Sequence, residues 1–121
     1  MAANAQAVSS FDKCLHGDQS QMRQNYCSAQ DQKVADKELN VAYKEAMSRL
    51  DPAAKEKLRV EQRAWIKTAE GTCKKNTDDD VCSDEKADDD TRICGTMWDS
   101  EYFGCLKEAD DKRTTQLKAI K

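Results

Sequence analysis

Most residues from which chemical sites are built are scarce in this chain. It has one histidine, His16, one proline and four glycines, and no two of its six cysteines form a C-x-x-C pair. Structural zinc wants close cysteine pairs or histidine partners, so the spacing argues against a metal centre. No run of 18 apolar residues is present, so nothing inserts into a membrane. No basic stripe appears and the pI is near 5.2, which argues against nucleic acid as a partner. Glycine-rich phosphate loops, nucleophile elbows and metal-binding histidine pairs are also missing. His16 near Cys14 offers a base beside a sulfur, but an even disulfide set leaves no thiol to activate. Glu61 and Glu70 are most simply solvated carboxylates of a helical surface. The chain reads as non-catalytic, and no cofactor is expected.

What is present is charge and sulfur. Hydrophobic residues make up 38% of 121 positions and charged residues 36%, enough for one domain with a thin core. Cys14, Cys27, Cys73, Cys82, Cys94 and Cys105 are an even, widely spaced set, which points to three disulfides and an oxidising compartment. The opening "MAANAQA" has the small-residue style that ends a secretory signal, with no charged or apolar region before it. The expectation is an exported, periplasmic protein, with residues 1–13 as a tail and 14–121 as a single helical domain.

From Asp31 to Leu50, Ala35, Leu39, Ala42, Tyr43, Ala46, Met47 and Leu50 recur at three and four residues, the one-face pattern of a helix. Asp51 and Pro52 stop it and start a second, over about 52–72, with Asp51 as N-cap. Leu58, Gln62, Trp65, Ile66 and Ala69 share a face there, and Gly71 is read as loosening its end. The short joint predicts an antiparallel hairpin. A third helix follows over about 100–120, through Phe103, Leu106, Ala109, Arg113, Leu117 and Ile120, capped by Asp99 or Ser100. Residues 9–27 are less periodic and hold at most one short helix. No strand alternation persists. The predicted fold is all-α: a small disulfide-stapled bundle of a helical hairpin and a C-terminal helix, with a long acidic loop. Trp65 and Tyr43 read as core residues; Trp98, where the loop meets the third helix with Met97, Tyr102 and Phe103 nearby, reads as a core plug, with an apolar docking patch as the alternative.

That loop, residues 74–98, carries four basic side chains against eight acidic ones, whereas the whole chain is only −3. A structureless connection this long marks a functional or disordered segment. Locality would pair Cys73 with Cys105 at its base, Cys82 with Cys94 inside it, and Cys14 with Cys27 near the start, one of fifteen pairings. Each bridge is worth on the order of 3 kcal/mol. An EF-hand loop starting at Asp78 fails twice, because Cys82 and Ser83 stand where an oxygen ligand and a glycine belong. The remaining readings are a solvated linker or a docking element. A stapled loop loses less entropy on binding, and focused negative charge speeds encounter with a cationic partner. Asp78, Asp79, Asp80, Val81, Asp84, Glu85, Lys86, Asp88, Asp89 and Asp90 are therefore the candidate partner-binding residues.

Three stretches, "ADKELNVAYKEAMSRL" (35–50), "LRVEQRAWIKTAEGTC" (58–73) and "CLKEADDKRTTQL" (105–117), resemble the LprI-like family, named for a lysozyme inhibitor. Leu39, Asn40, Tyr43, Gln62, Arg63, Trp65, Cys73, Cys105, Leu106, Arg113 and Leu117 stand at the places of its pattern. The resemblance implies an exported, helical, disulfide-bonded bacterial domain whose partner is a protein, with lysozyme the partner of some members. Thr68, Ala69 and Asp110 depart from the pattern, as does the acidity of the 74–98 segment. A neighbouring reading is therefore an immunity protein against a peptidoglycan amidase effector delivered by type VI secretion. In both, the loop enters a peptidoglycan hydrolase cleft and inhibits without chemistry of its own. The contrasting reading is a structural envelope domain with an inert acidic loop. A homodimer stays open.

Overall fold

A computed structural model describes residues 10–86 and 92–121. Among these the chain forms helices α1 (Ser10–Leu15), α2 (Gln21–Ser48), α3 (Pro52–Val81) and α4 (Trp98–Lys118). An antiparallel ribbon of β1 (Cys82–Lys86) and β2 (Arg92–Cys94) lies between α3 and α4. The all-α class agrees with the sequence; the small ribbon was not anticipated, because five residues such as "CSDEK" carry no apolar alternation.

The helix boundaries follow from caps and tertiary partners. Ser20 caps α2, its side chain accepting from Arg23 N. Arg23 also donates to the Cys14 carbonyl at 2.9 Å, and Cys14–Cys27 ties α1 to α2. These links carry α2 about ten residues upstream of its apolar periodicity. The turn between the two helices places His16 and Gly17 at φ 50° and 78°, a left-handed backbone that Gly17 adopts without strain. Residues 10–13, expected as tail, belong to α1. Asp51 caps α3 by accepting from Ala54 N at 2.8 Å, with Pro52 in the first turn, as predicted. Gly71 does not end α3, which continues to Val81. α4 starts at Trp98, so the cap position is Met97 and not Asp99 or Ser100.

Polar contacts give the helix directions. Asn25 and Gln32 of α2 meet Ser100 and Asp110 of α4, so these two run parallel. Gln62 meets Arg113, and Cys73 is bonded to Cys105, so α3 runs antiparallel to α4 and, through it, to α2. The closest helix pair is α2 with α4, more than the sequence-adjacent α2 and α3. Small residues allow that approach: Cys27, Ser28, Ala35, Ala42 and Ala46 are the buried positions of α2, with Leu39 as the larger exception. The core joins Leu39, Ala42 and Ala46 to Leu58 of α3 and Leu117 of α4, ringed by half-buried Tyr43, Met47, Leu50, Trp65 and Ile120. Ile66, expected on the inner face, is 42% exposed.

Candidate interaction surface

Among the described residues of the acidic segment, 74–81 continue α3 and 82–86 and 92–94 form the ribbon. Asp78, Asp79 and Asp80 complete the last turns of α3, although carboxylates at a helix C-terminus oppose its dipole. Lys74 and Lys75 offset this with i,i+4 pairs to Asp78 (2.6 Å) and Asp79 (2.7 Å). Asp78 is held a second time: its Oδ1 accepts from Trp98 Nε1 at 2.7 Å. Trp98 in turn stacks on Tyr102 with centroids 4.7 Å apart, and Tyr102 meets Phe103 edge-on. Burial, above all, raises the Tyr102 phenol. Trp98 thus plugs the junction of α3 with α4, about two helical turns from Cys105 of the Cys73–Cys105 bridge.

Val81 and Gly95 close the base of the ribbon through a Gly95 N–H donated to Val81 O at 2.8 Å. Cys82 and Cys94 sit directly opposite one another and are bonded. Across the helix end, Asn25 clips the chain leading into α4. Its Nδ2 donates to Thr96 O, and its Oδ1 accepts from the Ser100 backbone N–H and hydroxyl. This supplies the N-terminal acceptor that α4 lacks locally. A shallow groove of about 350 Å³ beside the triplet is lined by Asn76, Thr77, Asp79, Asp80, Glu101 and Cys105. Burial, then the neighbouring Asp80 carboxylate, raises the Glu101 pKa, so the two acids face each other. Met22, Tyr26 and Met97 lie at the same end, 81%, 53% and 48% exposed.

Of the residues singled out from sequence, Asp78, Asp79, Asp80 and Val81 are gathered at the tip of α3, and Asp84, Glu85 and Lys86 follow in β1. Asp88, Asp89 and Asp90 lie outside the described residues. Asp78 is a structural anchor more than an open contact. The sequence reading missed Trp98 as its partner, the Asn25 clip, Glu101, and the Met22–Tyr26 pair, whose i,i+4 spacing in the otherwise polar first turns of α2 was the available signal. Asp78, Cys82 and Cys94 place a carboxylate oxygen and two sulfurs within 4.8 Å. With both sulfurs spent in a disulfide, this trio offers no thiolate for a metal.

The fold and surface define a class: a small helical protein with three internal bridges, presenting an acidic, stapled tip. The chain matches the family described as lysozyme inhibitor LprI over residues 13–117, and it belongs to that family. It is also 32% identical to an uncharacterized protein of Rhizobium meliloti (strain 1021), over 84% of this chain and 73% of the relative. No solved structure matches it. The residues that carried the resemblance build the frame. Arg113 Nε donates to Gln62 Oε1 at 2.8 Å, its guanidinium lies 5.9 Å from the Trp65 ring, and Cys73 is bonded to Cys105. These contacts lock α3 to α4.

Proposed function

We propose that this chain is an exported inhibitor that binds a peptidoglycan-degrading enzyme, with its acidic tip entering or covering the cleft. Membership in an inhibitor family supports a protein partner of the hydrolase kind. Three disulfides, with no cysteine left free, suit the periplasm or another oxidising space. The observation that carries the reading is the rigid tip: Cys82–Cys94, Cys73–Cys105 and the Trp98–Asp78 bond fix an acidic end flanked by exposed Met22, Tyr26 and Met97. Preorganisation lowers the entropic cost of docking, and the acidic field speeds approach to a basic cleft rim. Inhibition by occlusion asks no chemistry of the inhibitor. Lysozyme, named in the family's description, is one target; a type VI peptidoglycan amidase is the other.

The test follows cell-wall turbidity with a lysozyme and with a type VI amidase, each mixed with the oxidised protein. The paired variant replaces Asp79, Asp80, Asp84, Asp88, Asp89 and Asp90 by Asn and keeps Asp78, which holds Trp98. Expected is inhibition of one enzyme, weakened about tenfold or more in the variant at low salt, with helical circular dichroism unchanged. Inhibition that survives the variant would move the contact onto the helices. Failure to inhibit either enzyme would remove the reading.

A further inference from the structure

The three bridges differ in their access to solvent. In Cys14–Cys27 and Cys73–Cys105 one partner is sealed, Cys27 at 1% and Cys73 at 2% exposure, and each ties one helix to another. Cys82–Cys94 joins no two helices. Cys94 is exposed, and Cys82 is half-buried with its Sγ 3.6 Å from Asp78 Oδ1. A thiol can therefore reach Cys94 without separating any packed helix pair, whereas in each of the other bridges the more open partner, Cys14 or Cys105, is half-buried and its mate is sealed.

We propose that Cys82–Cys94 is a thiol–disulfide exchange site, opened by a dithiol whose approaching face is neutral or cationic, with Asp78 slowing the reaction. The reductant's thiolate attacks Cys94 Sγ. A new sulfur–sulfur bond forms as the Cys82–Cys94 bond breaks, and the bonding pair leaves on Cys82 Sγ, which takes a proton from solvent. The second thiolate of the dithiol then displaces Cys94, also as a thiol, and the reductant departs as a disulfide. The bridge gains two electrons and two protons, and the dithiol loses the same.

The direction of attack gives Asp78 its part. The leaving sulfur is Cys82, so its developing negative charge appears beside a carboxylate. A poorer leaving thiolate exchanges more slowly. Lys74 on the other Asp78 oxygen and the Trp98 N–H hold this carboxylate in place and only partly offset its charge. Asp79, Asp80 and Glu101 at the same tip add to the field that an incoming thiolate meets. Anionic thiols are repelled there and cationic ones drawn in, over the range that salt permits.

Reduction of the full oxidised chain, quenched with iodoacetamide and read by peptide mass spectrometry, tests this without any hydrolase, so the result is separate from the inhibitor reading. The probes are cysteamine, 2-mercaptoethanesulfonate and dithiothreitol. Labelling at Cys82 and Cys94 is expected about tenfold or more ahead of the other four cysteines, with helical circular dichroism intact. Corrected for thiolate content, cysteamine should outpace 2-mercaptoethanesulfonate several-fold at low salt, and about 1 M salt should erase the gap. Asp78→Asn keeps an acceptor for Trp98 and should speed opening about threefold or more. Opening of another bridge first, or of all three together, would overturn the proposal. Equal rates for the two monothiols would overturn its charge selectivity, and an unchanged rate in Asp78→Asn would overturn the role of Asp78.

Discussion

At the end of the bundle where α2 turns into α3, the helices are held by apolar packing. Leu39, Ala42, Ala46, Leu58 and Leu117 are sealed there, and Tyr43, Leu50 and Ile120 close the sides. At the opposite end, where α3 runs into the ribbon and α4 begins, Leu15 is the large apolar side chain sealed among the described residues, with Trp98, Tyr102 and Phe103 half-buried. Three disulfides, the Trp98–Asp78 bond and the Asn25 clip do most of the holding there. The difference shows how a chain with little apolar content divides its means of support. Packing, which needs volume, is concentrated where three helices converge. Covalent and directional links serve where the surface must stay polar.

The sharpest way to break this contrast is to remove packing at the apolar end. Leu117 is 0% exposed, and Leu117→Ala should cost about 2–5 kcal/mol of unfolding free energy in a urea titration. The double replacement of Cys73 and Cys105 by Ser should cost about 3 kcal/mol, since the bridge closes a separation of 32 residues. The same change at Cys82 and Cys94 should leave helical unfolding within about 1 kcal/mol, because the ribbon opens without disturbing helix packing. Equal costs for the two pairs would show that the ribbon belongs to the cooperative unit.

Between the two ends lies Asp110, 4% exposed, its carboxylate accepting from Gln32 at 3.0 Å. Burial pushes its pKa up to about 6, and the carboxylates of Asp36 and Asp111 push the same way against the Gln32 bond. The folded chain thus holds a proton that the unfolded chain releases near its ordinary value of 3.8. The stabilising effect of that proton is fully present below 3.8 and is lost as pH rises through about 6. Asp110→Asn keeps the acceptor for Gln32 and drops the charge. It should gain about 2 kcal/mol over the native chain above pH 6, and the gain should shrink toward zero by about pH 4, as read from unfolding curves across that range. A flat difference across those pH values would place the carboxylate in water.

The smallest effect concerns α3 itself. A Cβ at Gly71 would meet nothing within 4 Å, and the helix passes straight through it. Gly71→Ala should raise the thermal midpoint, by about 0.5–1 kcal/mol in free energy. A loss would mean that the helix yields at this point, as its glycine first suggested.

The legible parts of the sequence were those where one apolar face repeats. Ala35 through Leu50, Leu58 through Ala69 and the stretch ending at Ile120 declared their helices, and Asp51–Pro52 declared the turn. The extensions of α3 downstream and of α2 upstream were hidden, because tertiary partners decide them. Residues 74–81 look like a loop until Lys74, Lys75 and Trp98 are placed around Asp78 and Asp79. Gln21 to Gln30 look irregular until Cys14 and Ser100 are brought alongside. The parallel α2–α4 contact was equally hidden, for short joints suggest only neighbours in sequence. At the tip, composition revealed the charge but not which acid is an anchor and which faces outward.

That parallel pairing has a kinetic consequence. The small-residue face of α2 finds its closest partner only in α4, and the contacts between them, such as Asn25–Ser100 and Gln32–Asp110, span 75 and 78 residues. Such long-range contacts slow folding relative to helical bundles whose neighbours in space are neighbours in sequence. A chain emerging N-terminus first therefore carries α2 half-clothed until α4 arrives. Formation of Cys73–Cys105 before that docking would shorten the search by fixing α4 to a helix already antiparallel to α2.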